Sequence, residues 1–273
     1  MNVFINPQND DAADRFVIPK QIHYCWFGRN EKTDLMRKCM ASWKKFFPDH
    51  QIIEWNEDNF DVNRIAYTRE AYEAGKWAFV SDYARLYIVY HYGGIYLDTD
   101  VEVIKDFSPL LDQKGYLGFE NITNNPNAKT VATGLGFAAK PHDEVISALM
   151  EDYHDVHFLR DDGSADTTPC PVRNTRVLIR MGLRPDGSMQ QLGDLIIYPF
   201  EYFCGKDIAN NHKYITENTY SIHHYSGSWQ DPPGLLSTLK HLLFIPALQK
   251  VIGIKRYDRL KYFIDKHLYN CKR

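Results

Sequence analysis

The sequence is as informative in what it lacks as in what it holds. No run of about 18 apolar residues occurs in its 273 residues, so no membrane-spanning helix is expected. Met1 to Asp14 is polar and acidic, which argues against a secretion signal. The five cysteines (Cys25, Cys39, Cys170, Cys204, Cys271) are odd in number and scattered, with no CxxC pair. A disulfide framework and a zinc knot are therefore disfavoured, and a reducing, cytoplasmic setting is expected. There is no internal repeat and no low-complexity linker. The net charge of −3 is small, and no nucleic-acid partner is expected.

That small charge is unevenly spread. Residues 234–273 carry nine Lys or Arg against two Asp, so the rest of the chain is acidic. The pattern divides the chain into a body, 1–233, and a basic, apolar-rich tail, 234–273. In the tail Leu235, Leu239, Leu242, Ile254, Tyr257 and Phe263 interleave with Lys and Arg on either side of Pro246. Basic amphipathic helices of this kind suit an anionic membrane surface, and equally a solvated face packed on the domain.

Within the body the order of elements is that of a nucleotide-binding α/β fold. Ile18 through Phe27 is a short apolar strand ended by Gly28. Thr33 to Phe47 is a helix whose Met36, Cys39, Met40, Trp43 and Phe47 share one face. Gln51 to Trp55 is a second strand, closed by the polar turn Asn56-Glu57-Asp58-Asn59. Lys76 to Tyr92 is helical, free of Gly and Pro, and capped at Gly93. Further strands are expected at 95–98, 101–104, 116–120, 134–139, 195–200 and 221–225, a helix at 143–158, and a loop at 160–171.

The stretch that organises the chain is Tyr92-Gly93-Gly94-Ile95-Tyr96-Leu97-Asp98-Thr99-Asp100. A buried strand that delivers two carboxylates to its end calls for a cation. Magnesium and manganese favour hard oxygen ligands and usually take only one or two carboxylates, leaving positions for phosphate oxygens. Asp-x-Asp also follows an apolar strand in phosphatases of the haloacid dehalogenase type. Those continue with Thr or Val two residues on, where this chain has Glu102. Asp82 and Arg85, three apart on the long helix, share a face, and their apolar neighbours Phe79, Val80, Leu86 and Ile88 suggest partial burial.

Ser81-Asp82-Tyr83-Ala84-Arg85, together with Tyr92 through Asp100, resembles the signature of DXD-containing sugar transferases of glycosyltransferase family 32. That family includes capsular-polysaccharide transferases and is akin to the large glucosylating toxins. Ile18 through Gly28 resembles its opening strand. The resemblance implies a glycosyltransferase-A fold, a mixed sheet with helices on both faces, and C-terminal amphipathic helices added. It implies Mn²⁺ or Mg²⁺ and a nucleotide-sugar donor, expected to be a UDP-hexose. By position, Trp26 matches the aromatic that stacks on the base, with Cys25 beside it, and Asn59 matches an Asn near the donor sugar. Asp82 and Arg85 match the pair that holds sugar hydroxyls and the phosphate side. Asp98 and Asp100 match the metal acids. His224, in His223-His224-Tyr225-Ser226-Gly227-Ser228-Trp229, falls at the spacing of a third metal ligand from the closing Trp229, with Ser228 beside it; His223 stays open as the alternative. The resemblance implies a retaining transfer to a hydroxyl, the acceptor being a lipid-linked oligosaccharide of capsule or surface-polysaccharide assembly. Peripheral contact with the inner face of the plasma membrane is the matching location. A toxin-like effector that glycosylates a protein, and a sugar-binding module without activity, are the competing readings.

Overall fold

The computed structural model describes residues 18–112, 114–120, 129–206 and 213–227. Ser228, Trp229 and the tail at 234–273 lie outside the described residues, as does the boundary between body and tail. Among the described residues no helix is long and apolar enough to cross a membrane.

In chain order the elements are β1 (Gln21–Cys25), α1 (Asp34–Phe46), β2 (Gln51–Trp55), α2 (Ala66–Glu73), α3 (Trp77–Tyr92), β3 (Gly94–Tyr96), β4 (Val101–Val103), α4 (Ser108–Leu111), β5 (Gly115–Glu120), β6 (Thr130–Val131), β7 (Phe137–Ala139), α5 (Glu144–Glu151), α6 (Cys170–Arg180), β8 (Gln190–Leu192), β9 (Leu195–Tyr198) and β10 (Ser221–His223). The main sheet runs β2-β1-β3-β7-β5-β9-β8, with β6 added on β5 and β10 paired separately with β4. It is mixed: β1 is parallel to both β2 and β3, and β5 to β9, while β7 runs against β3 and β5.

Strand alternation deals side chains to two cores, one on each face. Ile22, Tyr24, Ile95, Tyr116 and Ala138 join Cys39 and Trp43 of α1 on one side. Tyr96, Leu117, Phe119, Phe137, Ala139, Leu195 and Ile197 join α3, α5 and α6 on the other. Helices therefore cover both faces, as the sequence led us to expect. The helix α1 starts at the Thr33 cap, whose hydroxyl accepts the Met36 N–H at 3.3 Å. The Trp43 indole then donates to the Val101 carbonyl at 2.8 Å, tying α1 to β4. The helix α3 is buried along most of its length and ends at Gly93, whose φ of 64° turns the chain directly into β3.

Several elements differ from expectation. The first strand is shorter than 18–27: its last bond to β2 is from the Trp26 N–H to the Trp55 carbonyl at 2.8 Å, and the Trp26 indole turns toward Asn30. A 3₁₀ turn at Thr133–Leu135 replaces the start of the strand expected at 134. The helix after Pro141 stops at Glu151, although Phe158 remains in the core. The helices α2 and α6 were not anticipated. The inward face of α6 includes Arg173, Asn174 and Thr175, so apolar periodicity is weak there.

One buried group beside the Gly93 turn sets a test of this packing. His23 is fully buried; its Nε2 lies 3.0 Å from the Gly93 carbonyl and its Nδ1 accepts the Trp55 indole N–H at 3.1 Å. Burial lowers its pKa to about 4 despite the bond to Gly93. The unfolded chain, titrating near the ordinary value of about 6.5, takes up a proton that the folded protein refuses. Stability conferred by neutral His23 is therefore lost as pH falls from about 6.5 toward 4. Urea unfolding at pH 7 and pH 5 should show wild type losing on the order of 2 kcal/mol more than His23→Gln over that interval. Equal losses in the two proteins would remove His23 as the origin.

Candidate active site and metal centre

The cleft lies where the sheet changes direction. From β1 the chain crosses one way to β2, and β3 lies on the other side, so the carboxyl ends of β1 and β3 flank a gap. Open α/β sheets place ligands in such a crevice. A cleft of about 930 Å³ occupies it. Its walls include Trp26, Asp82, Arg85, Asp98, Asp100 and His223.

The acid pair is delivered by a turn rather than by extended strand. The Leu97 N–H still bonds the His23 carbonyl at 3.0 Å, and the Val101 N–H then closes back on the Asp98 carbonyl at 3.0 Å. Asp98 and Asp100 are thus held on one side of a tight bend. Asp98 accepts the Tyr96 hydroxyl at 2.8 Å and lies 3.4 Å from Arg85 Nη2. Asp100 is buried; its Oδ2 accepts the Ser226 N–H at 2.7 Å, and its backbone carbonyl accepts the His224 N–H at 3.0 Å. Burial pushes its carboxyl up, but the His223 charge and the Ser226 amide outweigh that and hold it below the usual carboxylate range.

The strand β10 settles which histidine faces the acids. His223 Nε2 lies 3.3 Å from Asp100 and 3.8 Å from Asp98. His224, the position favoured by spacing from Trp229, points instead to Glu102, with Nε2 2.9 Å from Oε2; Lys38 holds the same carboxylate at 2.9 Å. Successive residues of a strand face opposite ways, so only one of two adjacent histidines can reach the bend. Counting back from Trp229 points to His224, whereas the ring that lies against the acid pair is that of His223.

Burial lowers the His223 pKa, yet the Asp100 and Asp98 charges win and raise it. Neither ring nitrogen makes a hydrogen bond, although both are buried. Nε2 is held by its ion pairs with the two carboxylates alone, and Nδ1 has no hydrogen-bond partner among the described residues. One ligand atom from each of Asp98, Asp100 and His223 lies within 4.8 Å of the others. Two hard oxygens and one imidazole nitrogen form a donor set that a divalent cation such as Mn²⁺ fits.

The helix α3 supplies the adjoining wall. Arg85 Nη2 lies 2.9 Å from Asp82, its Nε donates to the Ser81 carbonyl at 3.0 Å, and Nη1 reaches Thr133 Oγ1 at 3.4 Å. With Asp98 also on Nη2, this guanidinium is committed to carboxylates already present. Burial raises Asp82 to about 6 against the pull of Arg85, with the Asp98 charge adding to the rise. Cys170, the first residue of α6, packs against this pair, its Sγ 3.2 Å from Thr133 Oγ1.

The remaining expected residues divide. Trp26 stands half-buried on the rim, its indole donating to the Asn30 carbonyl at 2.7 Å. Cys25 is at the cleft floor but belongs to the core, and burial pushes its thiol up to about 12. Asn59 is not brought to the cleft. Its side chain accepts the Asn56 N–H at 2.9 Å and donates to the Glu54 carbonyl at 2.8 Å, closing the turn after β2. Cleft residues that were not anticipated include Trp77 on the Trp26 side, Glu120 at the end of β5, and Lys206. Glu120 accepts the Thr130 hydroxyl at 2.8 Å and is raised by burial. A conspicuous Gly-Phe-Glu at a strand end was the available signal for Glu120; Lys206, in an irregular segment, offered none.

Comparison with known proteins bears on this arrangement. Residues 33–117 match the family model described as a glycosyltransferase sugar-binding region containing a DXD motif. Inositol phosphoceramide mannosyltransferase 1 of Schizosaccharomyces pombe is 29% identical over 110 residues, 37% of this chain and 33% of that protein. Inositol phosphoceramide mannosyltransferase 3 of the same organism is 31% identical over 107 residues, 38% and 29% of the two chains. The chain thus spans about a third of the length of these curated relatives. Among solved structures, one titled PaToxG Glycosyltransferase superposes with a TM-score of 0.44 and 18% identity, over 60% of this chain and 69% of that one. A glycosyltransferase involved in glycosylation of the major capsid of PBCV-1 superposes at 0.37 and 12%, over 65% and 81%. The segment matching the family model contains Asp82, Arg85, Asp98 and Asp100, and the family and relative matches together support a DXD glycosyltransferase.

Proposed function

We propose that this chain is a metal-dependent, retaining glycosyltransferase of the glycosyltransferase-A type, akin to family 32. In this reading it moves a hexose from a nucleoside-diphosphate sugar, with uridine as the base, to a hydroxyl of a lipid-linked oligosaccharide in capsule or surface-polysaccharide assembly. The observation that carries the reading is the unbonded His223 Nε2 poised between Asp98 and Asp100. Asp98, Asp100 and His223 would hold Mn²⁺ or Mg²⁺, which when bound neutralises charge on diphosphate oxygens as they leave.

The chain's own residues divide the remaining work. Trp26 offers an indole face to the base at the rim. Asp82, held by Arg85, is placed to accept sugar hydroxyls from the α3 wall. Cys25 is an inert buried thiol and supplies no ready covalent nucleophile, and burial raises the Glu120 carboxyl toward its neutral form. That favours attack on the same face of the sugar. The acceptor oxygen bonds to the anomeric carbon as the bond to diphosphate breaks, and the departing phosphate oxygen takes the acceptor proton. The lipid part of the acceptor rests on the basic tail, and the two fungal relatives are named for a lipid substrate. The tail would hold the enzyme peripherally on the anionic inner face of the plasma membrane.

The metal centre predicts a contrast between neighbours. Calorimetric titration with Mn²⁺ should show His223→Gln weakened at least about tenfold and His224→Gln close to wild type. Because the raised pKa of His223 means that ligation must displace a proton, affinity should climb with pH from below the ordinary histidine value to above it. Equal effects of the two substitutions, or a flat pH profile, would contradict this assignment. Hydrolysis of a panel of sugar nucleotides with Mn²⁺ should reveal one preferred donor, and Asp100→Asn should abolish that turnover. Unchanged turnover in the variant, or none from wild type across the panel, would defeat the transferase reading. Sedimentation with anionic vesicles should pellet the full chain and not a chain ending at residue 233; equal pelleting would exclude a membrane role for the tail.

A further inference from the structure

The charges already present leave a gap opposite Arg85. Asp82 and Asp98 converge on one guanidinium, whose nitrogens are engaged by Asp82, Asp98, Ser81 and Thr133, while Asp100 lies against His223. Among the described residues lining the cleft, the other cationic side chains are Lys206 and the two histidines. His223 faces the acids and His224 faces Glu102. A departing diphosphate adds further negative charge to this corner, and Arg85 is poorly placed to receive it.

Lys206 is positioned by a rigid stitch. After β9 the chain passes through buried Phe203 and Cys204, then Gly205, to Lys206. Gly205 has φ 54°, and a Cβ there would lie 2.9 Å from Ile222 Cγ1 and 3.0 Å from the Ser221 carbonyl, so only glycine lets the strands approach. The His223 N–H bonds the Cys204 carbonyl at 3.2 Å, and Cys204 Sγ meets the Tyr225 hydroxyl at 2.8 Å. Lys206 Nζ then donates to the His224 carbonyl at 2.9 Å from a half-buried place in the cleft wall. The same segment that carries His223 therefore fixes Lys206. An ammonium has three N–H donors, and the His224 carbonyl occupies one. Asp100 is near enough to stabilise the charge, while burial works against it.

We infer that Lys206 is the cationic residue that contacts the diphosphate of the donor, on the side of the metal centre opposite Arg85. The inference rests on the transferase reading above. As the bond from the anomeric carbon to the diphosphate oxygen breaks, the electron pair stays on that oxygen and the Lys206 ammonium bonds the phosphate. Lys206 keeps its protons; the proton of the acceptor alcohol goes to the phosphate, as above.

The test separates charge from scaffolding. Lys206→Gln keeps a donor for the His224 carbonyl but loses the charge, and Lys206→Arg keeps both. Calorimetry with Mn²⁺ and inorganic pyrophosphate, and with Mn²⁺ and UDP against UMP, is the readout, with circular dichroism confirming the fold. Lys206→Gln should weaken pyrophosphate and UDP roughly ten- to a hundredfold, with UMP little changed, and Lys206→Arg should restore most of the loss. Wild-type affinity in Lys206→Gln, or equal weakness in a folded Lys206→Arg, would overturn the inference. Asp100→Asn distinguishes the two levels. If it loses Mn²⁺-dependent pyrophosphate binding while Lys206→Gln does not, Lys206 alone fails. If neither substitution matters, or wild type binds neither probe, the transferase reading falls and Lys206 with it.

Discussion

Asp98 and Asp100 are crowded onto a single bend at the sealed end of a strand, and carboxylates so placed must find cations. Much of the surrounding structure answers that requirement. Arg85 reaches Asp98 from α3, His223 reaches both acids from β10, and the Ser226 amide caps Asp100. Yet the answers are incomplete: His223 makes no hydrogen bond and Arg85 is shared between two acids. A corner with more carboxylate than local cation is what a divalent ion and its anionic cargo would complete.

The two sides of this corner behave differently. On the α3 side the Arg85 guanidinium is engaged by Asp82, Asp98, Ser81 and Thr133. On the β10 side Lys206 has N–H donors beyond the one given to the His224 carbonyl. The expectation that Arg85 would meet phosphate came from position in a motif. Position fixes which residue is present, and the hydrogen bonds around it determine whether its charge is free.

How much was legible beforehand follows from the range of the interactions. A 3.6-residue pattern after the Thr33 cap located α1, and a run free of Gly and Pro ending at Gly93 located α3, each within a residue or so; β2 falls where its apolar run after Pro48 placed it. The acid pair was legible because Gly-Gly-Ile-Tyr-Leu makes its context unusual. The helix α6 was hidden by polar residues on its buried face, and Lys206 by its irregular segment. The choice between His223 and His224 depended on the pairing of β10 with β4, which sets the facing of each residue through contacts 122 positions apart, such as His224 with Glu102. Local spacing carries no information about that register. Asn59 shows a related ambiguity: its side chain bonds Asn56 and Glu54, three and five residues back, and an Asn so placed serves a turn as readily as a ligand.

The separate pairing of β10 with β4 has a consequence for the order in which the protein becomes competent. During synthesis the first two strands, α3 and the acid pair all emerge within the first hundred residues and can associate with one another. Their counter-charge from His223, and the amide of Ser226, emerge more than a hundred residues later. Until then the bend is an electrostatically frustrated edge whose like charges repel each other, and docking of β10 relieves that repulsion. Closing this loop of more than a hundred residues carries a large entropic cost, and it coincides with the docking of His223 on the acids. A nascent or truncated chain that stops before β10 would hold the matching segment at 33–117 without the device that makes its acids tolerable.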